Sequence, residues 1–393
     1  MLRSSSLGAC ILVVLAASCD RMPRERLFVP APGSPLAMPG GAGNVALADV
    51  NRDGHLDLVV AAGQDRGLVI LLGKGTGAFT SVPGAAAMRA VQAGETSLGD
   101  VNEDGHLDMA VASHDSYEVV VLLGDGKGGF LPAPASPAIT GSAGKPHNHG
   151  LISGDVDGDC HLDLVAVNSG DGTVAVLLGD GRGVFVHASG SPFAAGPGPY
   201  PPALGDVDGD GRLDIVVPDS GTGQYSREHG FLARTVTVLL GDGQGGFHPA
   251  PYSPLTVLEG PYFATLGDLD GDQRLDLVTA HDDSSSVSIL LNDGGTGFRP
   301  ALQSPFDLGR RAWKVVIADA SGDRKADLVL ATGDSVTVLL GDGRGKFVPA
   351  PGSPFAAGRG AWTLAVGDLD EDGKLDVVAS NVESENLHVL LGQ

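Results

Sequence analysis

The chain is short of three things. Of its 393 residues 25 are lysine or arginine, three are cysteine and 5 % are aromatic. With 48 acidic residues the formal net charge is −23, and no basic stripe exists to release counterions from a phosphate backbone, which disfavours a nucleic-acid partner. Beyond residue 19 the only cysteine is Cys160, which leaves no pair for an internal disulfide once the N-terminal segment is processed. The apolar run Leu7–Ala17 is too short to span a bilayer. No nucleophile elbow, phosphate-binding glycine loop or His-Glu-x-x-His pattern occurs.

What the chain has in abundance is one nonapeptide, repeated. DVNRDGHLD at Asp49–Asp57 returns as DVNEDGHLD from Asp100, DVDGDCHLD from Asp155, DVDGDGRLD from Asp206, DLDGDQRLD from Asp268, DASGDRKAD from Asp319 and DLDEDGKLD from Asp368. Successive first aspartates are 51, 55, 51, 62, 51 and 49 residues apart, a near-strict frame with two insertions and one small deletion. A fixed period of this length decides the architecture before any single residue does.

Each unit has the same order. A short apolar run precedes the nonapeptide, a β-branched run such as Leu58-Val59-Val60 follows it, and a third run ends in Leu-Leu-Gly, as at Val119–Gly124 and Val336–Gly341. A Gly/Asp turn then leads to Phe79, Phe130, Phe185, Phe247, Phe298 or Phe347. Short Val/Ile/Leu runs bounded by Gly, Asp and Pro read as strands, and the turns between them as hairpins. Four antiparallel strands cannot bury both faces of their sheet alone. Seven such sheets set radially can, which predicts an all-β, seven-bladed β-propeller of four-stranded antiparallel blades. The last unit stops after its third strand at Gln393, and Phe28–Pro35 copies Phe347–Pro354, so an N-terminal strand is expected to complete the last blade and close the ring. Few aromatics suffice between flat blades.

These repeats resemble the FG-GAP/VCBS family, the propeller repeat also seen in the head of integrin α subunits. The resemblance runs from Phe28 to Gln393 and implies calcium in hairpin loops. It implies no single function, because the family includes adhesion, carbohydrate-binding and enzyme-associated members.

Positions 1, 3, 5 and 9 of the nonapeptide carry side-chain oxygens, and a backbone carbonyl is expected at position 7, the pattern a six-to-eight-oxygen calcium shell needs. The seven expected sets are Asp49, Asn51, Asp53 and Asp57; Asp100, Asn102, Asp104 and Asp108; Asp155, Asp157, Asp159 and Asp163; Asp206, Asp208, Asp210 and Asp214; Asp268, Asp270, Asp272 and Asp276; Asp319, Ser321, Asp323 and Asp327; and Asp368, Asp370, Asp372 and Asp376. The spacing begins like an EF-hand, but Val60 stands where its closing Glu would be. Cys160, Gln273 and Arg324 replace the position-6 glycine, and loop six, with Ser321 as well, is expected to be the weakest site. Twenty-five of the 48 acidic residues are ligands, and seven calcium ions would bring −23 to −9.

Residues 1–18 read as a signal peptide, with Arg3 ahead of the apolar run. Leu15-Ala16-Ala17-Ser18-Cys19 resembles a bacterial lipobox, with Leu15 one place further upstream than usual. Cys19 is the expected lipid-attachment site, residues 19–27 a short tether and 28–393 the propeller. This gives a membrane-anchored lipoprotein of the bacterial envelope, with plain secretion as the alternative.

The acidic loops occupy one face. Both insertions fall on the other, within Gly141–Gly150 and Asp219–Arg234. Six residues before each first aspartate stand Gly43, Gly94, His149, Tyr200, Tyr262, Trp313 and Trp362, expected at the mouth of the central channel on that second face. His147, His149, Tyr200, Tyr225, Tyr262, Trp313 and Trp362 form the candidate partner-binding set, for a protein or a glycan, in a monomer. Packing between blades is the competing role for the rings. An enzyme of polysaccharides, lyase or hydrolase, is the alternative function; Glu95, Glu228 and Glu259 are its only candidate acids, and they form no recognisable constellation.

Overall fold

A computed structural model describes residues 26–62, 67–81, 93–141, 147–221 and 233–393. Every regular element among them is a strand. The third unit shows the plan. Asn148–Gly154, Asp163–Asn168, Thr173–Gly179 and Phe185–His187 form an antiparallel meander in chain order. The second strand is buried along its whole length, because apolar layers cover both its faces.

The first strands of successive units lie side by side around the centre, and that of the last unit, within Phe355–Gly367, neighbours that of the first, Ala42–Ala48. The ring is therefore closed: the fold is a β-propeller. Seven apolar clusters fill the gaps between successive units. One joins Val165 and Val174 to Ile215 and Leu239. Another joins Leu58 and Val60 to Val378 and Val389, across the chain ends. Each such side chain contributes roughly 1.5–3 kcal/mol by leaving water.

The N-terminal closure is as expected. Phe28–Pro30 pairs with the last strand, Phe28 opposite Gly392 and Pro30 opposite Leu390. The Ser34 hydroxyl accepts the Val389 N–H at 3.0 Å, as Ser353 does for Val338 at 2.9 Å.

Two details differ from the expectation. The outer strand is broken in two. After Phe185–His187 a turn at Ser191-Pro192 intervenes, and Phe193–Ala194 then pairs with the far half of the third strand. The sheets also number six. Five are separate blades of four or five strands, whereas the sixth and seventh units share one nine-stranded sheet. The two are joined by one strand that runs through from the sixth unit into the seventh. In the fifth unit Phe306–Asp307 ends well before Lys314–Ala318 begins. In the sixth, the corresponding stretch runs on as the single 13-residue strand Phe355–Gly367, pairing at one end with Gly333–Gly341 and at the other with Asp376–Asn381.

Candidate functional site

The acidic loops repeat one geometry. In the fourth, Asp206 accepts backbone N–H groups of Gly209, Asp210 and Gly211 at 2.7, 3.1 and 2.8 Å, and Asp210 accepts that of Arg212 at 3.0 Å. Position 9 does something the sequence did not reveal. Asp214 is fully buried, and its two oxygens accept the N–H of Val207 at 2.8 Å and of Gly241 at 2.9 Å, stapling the loop to the end of the third strand. The same pair of bonds recurs at Asp57, Asp108, Asp163, Asp276 and Asp376. At Asp327 the loop-side donor shifts to Ser321. A Cβ on Gly241 would stand 2.3 Å from the Leu213 carbonyl oxygen, whereas the fifth unit makes the same staple from Asn292, whose side-chain amide donates to the Leu275 carbonyl at 3.1 Å. Burial pushes Asp163, Asp214, Asp276 and Asp376 up to about 6, a cost that a cation nearby would offset.

Each loop needs positive φ at position 4 as well as position 6. Loops one, two and seven place Arg52, Glu103 and Glu371 there at 62°, 58° and 60°, with glycine at position 6. Loops three, five and six reverse this: glycine at position 4, and Cys160, Gln273 and Arg324 at 73°, 68° and 67°. Loop four has glycine at both. No loop holds two non-glycine residues in this region, which costs each about 1–2 kcal/mol. Arg324 therefore takes the conformation of the glycine it replaces, and loop six keeps the fold of the others.

The donors fit a hard cation. Carboxylate oxygens of Asp155, Asp157 and Asp163 lie within 4.8 Å of one another, as do those of Asp206, Asp208 and Asp210, of Asp268, Asp270 and Asp276, and of Asp368, Asp370 and Asp376. Asp270 Oδ1, Asp370 Oδ1 and Ser321 Oγ are buried with no hydrogen-bond partner, all at position 3, where a metal-facing oxygen belongs. Neighbouring loops are also tied, His161 to Glu103 at 2.5 Å and His55 to Glu371 across the ring closure.

The opposite face holds a cavity of about 560 Å3 at the start of the first strands. All seven positions six before the first aspartates line it. Their shared presentation has a backbone cause: the first strand carries a β-bulge there in five units. The bulged residues are Gly43 with Asn44, Gly94 with Glu95, His149, Tyr262 and Trp362. A bulge turns the extra side chain out of the ladder. Tyr200 and Trp313 sit just ahead of their strands, held by N–H bonds to the carbonyls of Pro218 and Ala331 at 2.9 and 3.1 Å.

The rings form one arc. His149 stacks on Tyr200 at 4.3 Å, Tyr200 meets Tyr262 at 4.5 Å, Tyr262 meets Trp362 at 5.3 Å, and Trp362 stacks on Trp313 at 6.0 Å. Tyr200 is 7 % exposed, while Tyr262, Trp313 and Trp362 keep part of their surface open to the cavity. They thus pack on one another and face the cavity at once. Glycines Gly43 and Gly94 leave the other arc open to polar groups. Glu95 accepts a bond from Asn44 and lies 3.7 Å from Lys314 Nζ. Asp282 lies 3.9 Å from Arg311 and accepts a bond from the Trp313 side chain.

Of the expected partner residues, His147, His149, Tyr200, Tyr262, Trp313 and Trp362 come together; Tyr225, Glu228 and Cys19 lie outside the described residues. Glu95 lines the cavity, whereas Glu259 is exposed and paired with Arg234 at 2.7 Å. Sequence reasoning missed His114, which closes a histidine cluster with His147 and His149, and Asp282, Arg311 and Lys314. The available signal was positional. His114 and Asp282 each directly follow a second strand, at the start of the turn into the third strand of the same unit. Burial lowers the basicity of His147, and pushes His149 down to about 2.

The sequence pattern of the FG-GAP-like repeat matches residues 49–111, 100–166, 155–217, 268–330 and 321–379. No curated protein matches the chain. Among solved structures, it is similar to an Agrocybe aegerita lectin that recognises non-reducing terminal N-acetylglucosamine: 21 % identity, TM-score 0.55, covering 79 % of this chain and 80 % of the lectin. It is also similar to BBS1N in complex with ARL6DN, at 13 % identity, TM-score 0.62 and coverage of 95 % and 98 %. Virginiamycin B lyase from Staphylococcus aureus follows at 11 % identity, TM-score 0.51 and coverage of 91 % and 97 %. At these identities the likeness shows the fold alone.

Proposed function

The chain belongs to the FG-GAP-like repeat family, and from that premise we propose an exported, calcium-stabilised propeller that binds carbohydrate without transforming it. The observation that carries this is the cavity, with an aromatic arc on one side and a polar arc of Asn44, Glu95 and Lys314 on the other. Sugar rings present apolar faces that stack on Trp and Tyr, and equatorial hydroxyls that need fixed donors and acceptors. The lectin of similar fold recognises a terminal sugar, so such a scaffold is compatible with that role. A glycan array tests it. Wild type binds a defined set, and Trp313→Ala/Trp362→Ala binds none of it with a melting temperature changed by only a few degrees. Absence of wild-type binding, or an unchanged variant, rejects the reading.

We count seven blades, treating the nine-stranded sheet as two that share the strand Phe355–Gly367. The seven inter-unit clusters support that count. Each acidic loop would hold one calcium ion through its positions 1, 3, 5 and 9; the ion's chemistry there is structural, compensating carboxylates that otherwise repel. Cys19 would carry the lipid, and palmitate labelling that Cys19→Ala abolishes tests the anchor. A catalytic reading has one specific support, that Glu95 and Asp282 line the cavity. Release of shortened or unsaturated products from a bound polysaccharide would put an enzyme in place of the binding module.

A further inference from the structure

We propose that His114, His147 and His149 form a binding site for an imidazole-preferring divalent transition ion of the zinc class, set in the wall of the cavity and separate from the acidic loops. Their ligand nitrogens lie within 4.8 Å of one another. The Nε2 atoms of His147 and His149 point at each other across 2.5 Å, and the three rings meet edge to face with centroids 4.1 to 4.8 Å apart.

Three features show a built arrangement. The backbone fixes the approach: the N–H of Asn148, between the two histidines, donates to the His114 carbonyl at 3.0 Å. The β-bulge at His149 directs that ring out of the ladder and toward its partners. Asp115 Oδ1 lies 2.8 Å from His114 Nδ1, so that a proton held between them would leave Nε2 free to ligate. A carboxylate behind a histidine in this way is the outer-shell partner that metal-bound imidazoles use.

The ligand chemistry selects the ion. Three neutral imidazoles suit zinc, copper or nickel, whereas calcium takes oxygens. Three protein ligands leave a fourth position of a tetrahedral ion to solvent or ligand. His114 and His149 both line the cavity, so that position would open toward it. The site rests on these residues alone and stands whether or not the cavity binds sugar.

The test is cobalt and zinc titration of the full mature chain, freed of transition metals and kept in millimolar calcium so that the acidic loops do not compete. One equivalent of cobalt should give a visible d–d band of tetrahedral intensity, which one equivalent of zinc removes. His114→Gln should weaken binding at least 100-fold, and Asp115→Asn 10-fold or more. Both should keep the wild-type melting temperature in calcium without zinc. His147→Gln, with its partly exposed ring, repeats the test at a position where folding is less at risk. No band, or a band unchanged in His114→Gln and His147→Gln, would overturn the proposal.

Discussion

The two faces of the ring carry opposite kinds of sequence. On one, seven loops repeat the same acidic pattern, each buried ninth residue tying loop to strand. On the other, the seven equivalent positions are Gly, Gly, His, Tyr, Tyr, Trp and Trp. Repetition suits a task that every unit must perform for itself, which is holding a hairpin rigid. Variation suits a task performed once, where seven strands converge on one cavity. On the proposed function the two faces separate stability from recognition, with every first strand contributing to both.

Calcium removal should break the comparison hardest. EDTA should lower the melting temperature by roughly 10–20 °C, since several sites each add a few kcal/mol at saturation, and calcium should restore it. An unchanged melt would remove metal from the account. Next come two substitutions within one loop. Asp214→Asn turns an N–H donor toward the backbone N–H of Val207 or Gly241, and should cost about 2–4 kcal/mol by denaturant unfolding. That loss should persist in EDTA. Asp208→Asn should cost stability only when calcium is present, since Asn already serves at position 3 in loops one and two. Equal behaviour of the two would merge staple and ligand into one role. The smallest effect is Arg324→Gly, expected to gain about 0.5–1 kcal/mol in saturating calcium by relieving its positive φ.

Much of this was legible because the repeat reports itself. The apolar runs between the acidic loops marked the strands, and the copy of Phe347–Pro354 at Phe28–Pro35 marked the closing N-terminal strand, whose Ser34 bond to Val389 repeats that of Ser353 to Val338. Counting back six residues located the rings of the cavity. What stayed hidden depends on contacts between units. His114 lies 33 residues before His147 and meets it only because the second strand of one unit ends beside the start of the next. The staple at position 9 was invisible because a carboxylate accepting two backbone bonds reads, in sequence, like one more ligand. Position 4 was overlooked because Arg52, Glu103 and Glu371 give no sign of the left-handed backbone that glycine advertises in the other loops.

The division of labour is tested most directly by one glycan array, run well below every melting transition on three proteins. These are the wild type, the loop variant Asp206→Asn/Asp368→Asn and the cavity variant Trp313→Ala/Trp362→Ala. The account predicts that the loop variant melts several degrees lower and keeps the wild-type binding profile, while the cavity variant melts within a few degrees of the wild type and binds nothing. A loop variant that loses binding while still folded, or a cavity variant that keeps it, would contradict the separation of the two faces.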